Sequence, residues 1–171
     1  MSLESWKNIY YPTSADTVTT QAEAIAHSLL KWSGLKPEVL TEHGVERCLD
    51  SLRVITEDEN TFRAAAGDTC ALCWIDLEAT AKDKCHSCSL FESRGNVSCL
   101  SKTPSETTPP YLAYIEGGDP EPMLIELRKA QAWVEARDKP WIATDPENPC
   151  REWRMTGRHC SRCPYTTVCN E

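Results

Sequence analysis

The chain has 171 residues, of which 40% are hydrophobic and 26% charged, with ten cysteines and a formal net charge of −8. This composition allows a packed core, excludes wholesale disorder, and suits one domain with a small appendage. No run approaches the roughly 20 apolar residues that span a bilayer, so we predict no membrane association.

The distribution of charge and cysteine restricts the function further. The N-terminal sequence lacks the basic start and apolar run of a signal peptide, so we predict a cytoplasmic protein. Cysteines in a reducing compartment are interpreted first as metal ligands or redox groups, with disulfides as the alternative. Residues 1–149 hold 14 Lys+Arg and 24 Asp+Glu, net −10, and residues 150–171 hold 4 and 2, net +2. The acidic body argues against broad DNA coating and leaves a small basic patch in the tail.

The first predicted element in chain order is a helix, since residues 1–13 look irregular. One helical face carries apolar side chains at helical spacing, namely Val18, Ala22, Ile25, Leu29 and Trp32. Thr20 and Glu23 have the spacing of a capping box, with Ser14 as an alternative start. Gly34 is a suitable stop. His27 on this helix is interpreted as a structural residue.

Three further helices are predicted. Pro37 suits the first position of a second helix that His43-Gly44 ends, with His43 again structural. A third helix is predicted from the spacing of Val45, Cys48, Leu49, Leu52 and Ile55, which places Cys48 in the core. The acidic residues 57–60 form an exposed break. The last helix starts near Asp119, stops before Pro140 and buries Met123, Leu127, Ala130 and Val134.

These elements predict a mainly α fold with irregular, metal-stapled cysteine-rich modules. The helical body covers residues 1–138 and contains an inserted cysteine-rich module at about 67–100, with a short helix near residues 78–82. Residues 139–149 hold three prolines and are interpreted as a linker. The last 22 residues, 150–171, form a C-terminal module that is too short to make a core without a staple.

The first cysteine cluster consists of two C-x2-C pairs separated by eleven residues, Cys70 with Cys73 and Cys85 with Cys88. Each C-x2-C turn places two sulfurs on one side of a tight loop, where backbone N–H groups can donate to them. Two such turns supply the tetrahedral thiolate set of a structural zinc site. Cys99 and His86 are alternative ligands. A closed site of four cysteines stabilises the fold and leaves no open position for catalysis.

The second cysteine cluster occupies the C-terminal module, with the spacing C-x9-C-x2-C-x5-C at Cys150, Cys160, Cys163 and Cys169. His159 is an alternative ligand. This cluster predicts a second metal centre, so the chain is expected to bind about two zinc ions. Without metal, the tail should be disordered.

The string from Cys160 to Cys169, C-x2-C-x5-C, resembles the C-terminal iron–sulfur run of RecB-like and CRISPR-associated exonucleases. The resemblance covers about ten residues, and it implies a 4Fe–4S cluster as the alternative to zinc at this site. In that family a nuclease centre precedes the run, with an Asp followed by an acidic-x-Lys strand. Asp76, Glu78 and Lys82 lack that spacing, so the nuclease activity is not carried over.

A longer block, K-W-x-G-L-x-P-x-x-L-x-x-H-G from Lys31 to Gly44, precedes the paired C-x2-C motifs and Cys99. This order is similar to that of small cysteine-rich proteins of tailed bacteriophages, and the resemblance covers roughly residues 22–127. It implies a phage accessory protein in the host cytoplasm and supplies no catalytic residues. The tail from Cys150 onward departs from the short members of that family.

The leading hypothesis is a non-enzymatic, zinc-binding phage protein whose acidic helical body binds a protein partner, for example a host protein of a defence system. No recognisable nucleophile–base pair, Gly-rich phosphate loop or open metal site favours an enzyme. The first alternative is weak nucleic-acid binding by the basic tail, with phosphate or base contacts from Arg151, Trp153, Arg154, Arg158 and Arg162. The second is an iron–sulfur, nuclease-related protein.

Overall fold

The computed structural model describes residues 2–48, 52–75 and 88–138, and within them the fold is mainly α with a small antiparallel sheet. The chain divides into two units, Met1–Arg137 and Asp138–Glu171, and apart from Asp138 the described residues belong to the first. The helices are α1 (Leu3–Tyr10), α2 (Gln21–Ser33), α3 (Pro37–Glu42), α4 (Ala71–Trp74), α5 (Ser89–Ser93), α6 (Pro110–Gly117) and α7 (Glu121–Asp138). The strands are β1 (Val45–Arg47), β2 (Val54–Thr56) and β3 (Thr61–Phe62).

Helix α1 corrects the prediction of an irregular N-terminus. Ser2 caps it through a reciprocal box with Ser5, in place of the usual Glu or Gln partner. The indole of Trp6 is fully buried, and its Nε1–H donates to the carbonyl oxygen of Gly34 at 2.6 Å. A short amphipathic helix of this kind is stable because tertiary contacts hold its apolar face.

Helix α2 begins at the predicted capping box of Thr20 and Glu23 and ends at Gly34. Its buried face was predicted incorrectly in part, because Ala22 is exposed while the polar Ser28 and Lys31 are buried. Small and polar residues therefore share the inner face with Ile25 and Trp32, which apolar periodicity alone does not reveal.

Helix α3 has Pro37 in its first turn and ends at His43, as predicted, and Gly44 follows with a positive φ of 62°. The predicted third helix is wrong, because β1 and β2 form an antiparallel pair in which Val45 faces Thr56 and Arg47 faces Val54. β-Branched side chains favour strands, and the acidic residues 57–60 form the exposed connection to β3. The strand order is β1-β2-β3.

Helices α6 and α7 complete the described core. Helix α6 was not predicted; it begins after Pro109 and ends at Gly118 in a left-handed conformation with φ of 76°. Helix α7 begins just after the predicted start, with the Asp119 carboxylate accepting from the backbone N–H of Glu121. Its predicted buried stripe is confirmed at Met123, Leu127, Ala130 and Val134.

Several predictions fall on residues that the structure does not describe. The short helix near residues 78–82, the linker 139–149 and the module 150–171 lie outside the described ranges. Among the described helices, none combines the length and apolar character needed to cross a membrane.

The packing of α1 on the end of α2 generates a stability prediction. A Cβ at position 34 would lie 2.4 Å from Cγ of Tyr10, whereas a Cβ at Gly67 meets nothing within 4 Å. Gly34 has ordinary right-handed φ and ψ angles, so alanine is tolerated by the backbone and only the clash opposes it. We expect Gly34→Ala to lower the free energy of unfolding by about 1–3 kcal/mol in urea titrations.

The matched control is Gly67→Ala, which should change the free energy of unfolding by less than about 0.5 kcal/mol. Equal stabilities for the two variants would contradict the close approach of Tyr10 to Gly34.

Candidate metal centre

Four of the described cysteines belong to the short helices and loops between β3 and α6. Cys70 is the N-cap of α4 and Cys73 lies within that helix, with its backbone N–H donating to the Cys70 carbonyl oxygen at 2.9 Å. Cys88 is the N-cap of α5, and Cys99 lies in the connection from α5 to α6. All four are partly buried and none is part of a disulfide. Cys70 and Cys88 thus lie directly before short helices, and Cys73 lies within the first of these helices.

The thiols of this cysteine cluster (Cys70, Cys73, Cys88 and Cys99) influence one another electrostatically. A hydrogen bond from the Cys73 thiol lowers the pKa of Cys70, and the Lys31 ammonium and the backbone N–H groups of Cys73 and Leu72 lower it further. The pKa of Cys73 is raised, first by its hydrogen bond to Cys70, then by burial, and then by the negative charges of Cys70, Cys88 and Cys99. Cys70 and Cys73 therefore share a proton, and backbone N–H donors favour the thiolate of Cys70, as expected for a C-x2-C turn.

A buried cation lies beside these thiols. Lys31 on α2 is 1% exposed, and its Nζ donates to the Thr69 carbonyl oxygen at 2.8 Å and to Thr69 Oγ1 at 3.3 Å. Burial lowers the pKa of Lys31, while the charges of Cys70, Cys73 and Asp68 act in the opposite direction. Sequence reasoning placed the apolar stripe of α2 elsewhere and missed this residue. The spacing of Ala24, Ser28 and Lys31 on one face is the signal that could have found it.

Helix α6 contacts the cluster from another side. The backbone N–H of Tyr111 donates to the Cys99 carbonyl oxygen at 3.2 Å, and the Tyr111 hydroxyl donates to the Ala65 carbonyl oxygen at 2.9 Å. Burial raises the pKa of Tyr111 to about 12, helped by the negative charges of Cys99, Cys70 and Cys73. Tyr111 therefore links the connection that carries Cys99 to the segment that precedes Cys70.

A buried arginine holds the same connection in place. The guanidinium of Arg94 is fully buried, and its Nη2 donates to the Ser101 carbonyl oxygen at 2.9 Å and to Glu106 Oε2 at 2.7 Å. Its Nε lies 3.6 Å from Glu126 Oε2 on α7, an ion-pair separation rather than a hydrogen bond. Arg94 thus fixes the loop around Cys99 relative to the core helix.

The predicted ligands divide into two groups. The Cys70 and Cys73 thiols are joined by a hydrogen bond, and the charges of Cys88 and of the alternative ligand Cys99 act on Cys73. Throughout ranges 2–48, 52–75 and 88–138, no group of three or more His, Cys, Asp or Glu side chains is arranged to hold a metal ion. The remaining predicted ligands lie outside the described residues, namely Cys85, His86, Cys150, His159, Cys160, Cys163 and Cys169. The predicted nucleic-acid contacts lie outside them as well, namely Arg151, Trp153, Arg154, Arg158 and Arg162.

The other candidate residues have structural positions. His27 Nε2 lies 2.9 Å from the Thr13 carbonyl oxygen, and burial lowers its pKa. His43 Nδ1 lies 2.8 Å from Ser5 Oγ, which ties α1 to the end of α3. These contacts agree with the structural interpretation of both histidines, although His27 Nδ1 is buried without a hydrogen-bond partner among the described residues. Cys48 was predicted in the core of a helix, but it is half-buried at the end of β1, where its N–H donates to the Arg53 carbonyl oxygen.

Comparisons with known proteins add no family to these observations. No protein-family model, curated protein or solved structure matches the chain. The resemblances to the phage proteins and to the exonuclease cysteine run therefore stay predictions.

The buried Arg94 network generates a second stability prediction. Arg94→Met leaves the carboxylates of Glu106 and Glu126 without their buried cation. Lys129 still pairs with Glu126 at 2.6 Å. The expected loss of stability therefore lies at the lower end of the range found when one partner of a buried ion pair is removed. We expect the free energy of unfolding to fall by roughly 3 kcal/mol in urea titrations.

Arg128→Met is the matched control, because Arg128 pairs with Glu121 at 2.8 Å on the surface. Its loss should stay under about 1 kcal/mol. A similar small loss for Arg94→Met would show that the loop carrying Cys99 does not depend on this arginine.

Proposed function

We propose that this chain is a non-enzymatic interaction protein whose acidic helical body is stapled by zinc at the first cysteine cluster. The observations that support the proposal are the thiol hydrogen bond between Cys73 and Cys70 and the electrostatic influence of Cys88 and Cys99 on Cys73. Thiolates in tetrahedral sets are the ligands of structural zinc. The N–H donors at Cys70 and the Lys31 ammonium both favour the thiolate form that a metal requires.

Electrostatics favour a divalent cation at this position. The negative charges of Cys70, Cys88 and Cys99 raise the pKa of Cys73, so Cys73 ionises beside them only when a cation offsets that charge. A bound Zn²⁺ reverses that balance and deprotonates coordinating thiols. Five cysteines in this region, counting Cys85, supply one more thiol than a tetrahedral site needs. Metal binding and the final ligand geometry then form together, as in other small zinc modules.

The shortness of the local helices supports a staple at this cluster. Helices α4 and α5 have four and five residues, far below the length at which an isolated helix is stable. Only Ala71, Leu72, Ser89 and Leu90 of these two helices are buried. A zinc ion that joins Cys70 and Cys73 to Cys88 would hold both short helices against the core of the helical body.

The surface that would recognise a partner is acidic. Glu38 and Glu42 lie one turn apart on α3, Glu46 lies on the edge strand β1, and all three side chains are exposed. The exposed connection at residues 57–60 carries three more carboxylates close in sequence. A net charge of −10 over residues 1–149 favours a basic protein surface and repels phosphate. The phage resemblance suggests a host protein, for example one of a defence system, as the class of partner.

Binding of nucleic acid and an iron–sulfur cluster remain predictions about the C-terminal module. The arginines and cysteines that motivate them lie outside the described residues. A brown colour in anaerobically purified protein would move the second site from zinc to iron–sulfur.

The proposal predicts the metal content of the purified protein. The full chain should contain about two equivalents of metal, and replacement of Cys150, Cys160, Cys163 and Cys169 by serine should leave about one zinc. In that tail variant, Cys73→Ser should release the remaining zinc and loosen the cysteine-rich segment. Elemental analysis and hydrogen exchange of residues 67–109 measure the two effects.

Cys48→Ser is the matched control, because Cys48 is a half-buried thiol away from the cluster, and it should retain the zinc. A metal-free protein, or a protein that loses zinc equally with Cys48→Ser and Cys73→Ser, would overturn the proposed site.

The interaction surface yields a separate prediction. Replacing Glu38, Glu42 and Glu46 by lysine should weaken binding to a basic protein that the wild-type chain binds. The dissociation constant should rise at least about tenfold, because the new lysines would face the positive charges of the partner. Calorimetric titration at two salt concentrations measures the change. Reversal of the exposed Asp16, Glu116 and Glu135 is the control with equal charge. If the two triple variants bind equally well, the acidic face of α3 and β1 is not the docking surface.

A further inference from the structure

A polar cleft of about 530 Å³ lies between the start of α1 and the connection from β2 to β3. This volume is within the range of roughly 300–1,000 Å³ that is usual for ligand pockets. Charged and polar side chains from the two elements line the cleft, namely Ser2, Glu4, Lys7, Glu57, Asp58 and Asn60. The cleft therefore has the size of a binding site and walls that come from two separate parts of the chain.

Contacts outside the cleft hold both of its walls in place. On the side of α1, Ser5 Oγ lies 2.8 Å from Nδ1 of the buried His43. On the other side, the backbone N–H of Thr56 donates to the Asn60 carbonyl oxygen at 3.1 Å, and the N–H of Glu59 donates back to the Thr56 carbonyl oxygen at 2.9 Å. A ligand would therefore enter a preformed cleft, so little of the protein has to become ordered on binding.

Carboxylates give the cleft its electrostatic character. Glu4, Glu57 and Asp58 bring three negative charges, against the single positive charge of Lys7. The Lys7 ammonium lies 3.9 Å from the Glu4 carboxylate and 5.5 Å from the centre of the Phe62 ring. Lys7 therefore offsets Glu4, and the carboxylates of Glu57 and Asp58 make the cleft attractive to a cation.

The arrangement of these carboxylates suits an extended cation better than a metal ion. Among the described residues, which include Glu4, Glu57 and Asp58, no three acidic, histidine or cysteine side chains are arranged to hold a metal. A guanidinium presents five N–H donors in one plane, so it can bond to carboxylates and to amide or hydroxyl oxygens on both walls. The ammonium of a lysine is a compact point charge and reaches fewer acceptors at once.

We propose that this cleft binds an arginine side chain of a basic protein partner, with the guanidinium paired to Glu57 and Asp58. The inference rests on the proposed function and names the position at which the acidic surface holds its partner. Gly44 also lines the cleft, and in the sequence it lies between Glu42 of α3 and Glu46 of β1, so the cleft borders the acidic surface already described. Arginines that insert into pockets are among the residues on which protein interfaces depend most.

A peptide titration of the full-length chain, followed by NMR, tests the inference. The probe is a peptide with one arginine and capped ends, acetyl-Gly-Arg-Gly-amide. The matched peptide carries citrulline, which has nearly the same shape as arginine and no charge. Inorganic phosphate is titrated separately, because the α1 N-terminus and Lys7 would favour an anion if the carboxylates did not dominate.

We expect the arginine peptide to shift the amide signals of residues 2–7, 44 and 56–61. It should bind about three- to tenfold more tightly than the citrulline peptide, the effect of hydrogen bonds between charged groups at a partly exposed site. Glu57→Gln combined with Asp58→Asn should weaken binding of the arginine peptide by a similar factor. Asp16→Asn combined with Glu135→Gln removes the same charge from exposed positions that do not line the cleft, and should change binding by less than about twofold at physiological salt.

Equal binding of the arginine and citrulline peptides, or shifts confined to residues outside the cleft, would overturn the inference. Equal losses in the two double variants would overturn it as well, because they would show a general effect of net charge. Stronger shifts of the cleft residues by phosphate than by the arginine peptide would show an anion site instead. Each of these results leaves the zinc content and the effect of the Glu38, Glu42 and Glu46 reversal unchanged, and those two measurements decide the proposed function separately.

Discussion

The inner face of α2 is the constraint on which the described structure depends. Trp32 of this face meets the rings of Tyr111 and Tyr114 on α6, at centroid distances of 6.2 and 5.2 Å. At its end, Gly34 accepts the Trp6 indole of α1 and leaves room for the Tyr10 ring. Directly before Trp32, Lys31 bonds to the carbonyl oxygen of Thr69, the residue that precedes Cys70. Helix α2 therefore joins the N-terminal helix α1, helix α6 and the cysteine-rich segment.

The parts of the fold that local chemistry determines could be predicted from the sequence. The capping box at Thr20 and Glu23, the proline at the start of α3 and the buried stripe of α7 depend on residues within one or two helical turns of each other. The parts that failed depend on distant contacts. Helix α1 is held by Gly34, and residues 45–47 become a strand because residues 54–56 pair with them.

The candidate site shows the same division. Its cysteines were recognisable from C-x2-C spacing, whereas Lys31 was hidden because a lysine on a helix is normally a surface residue. The connection that carries Cys99 is held by Tyr111 on α6 and by the buried Arg94, neither of which the cysteine spacing reveals. The block from Lys31 to Gly44 receives a physical explanation from the same contacts. Its tryptophan is core, its glycines meet steric and conformational demands, and His43 links two helices.

A thiol-exchange role is the main competitor of the zinc staple, since a lowered pKa at Cys70 beside a raised one at Cys73 also occurs in C-x-x-C redox pairs. The nearby Cys88 and Cys99 favour a metal instead, because two thiols suffice for exchange. X-ray absorption at the zinc edge tests this most directly, on the chain with its C-terminal cysteines replaced by serine. The account predicts bound zinc with four sulfur neighbours at about 2.3 Å. Zinc bound mainly by nitrogen or oxygen at about 2.0–2.1 Å, or no zinc at all, would contradict it.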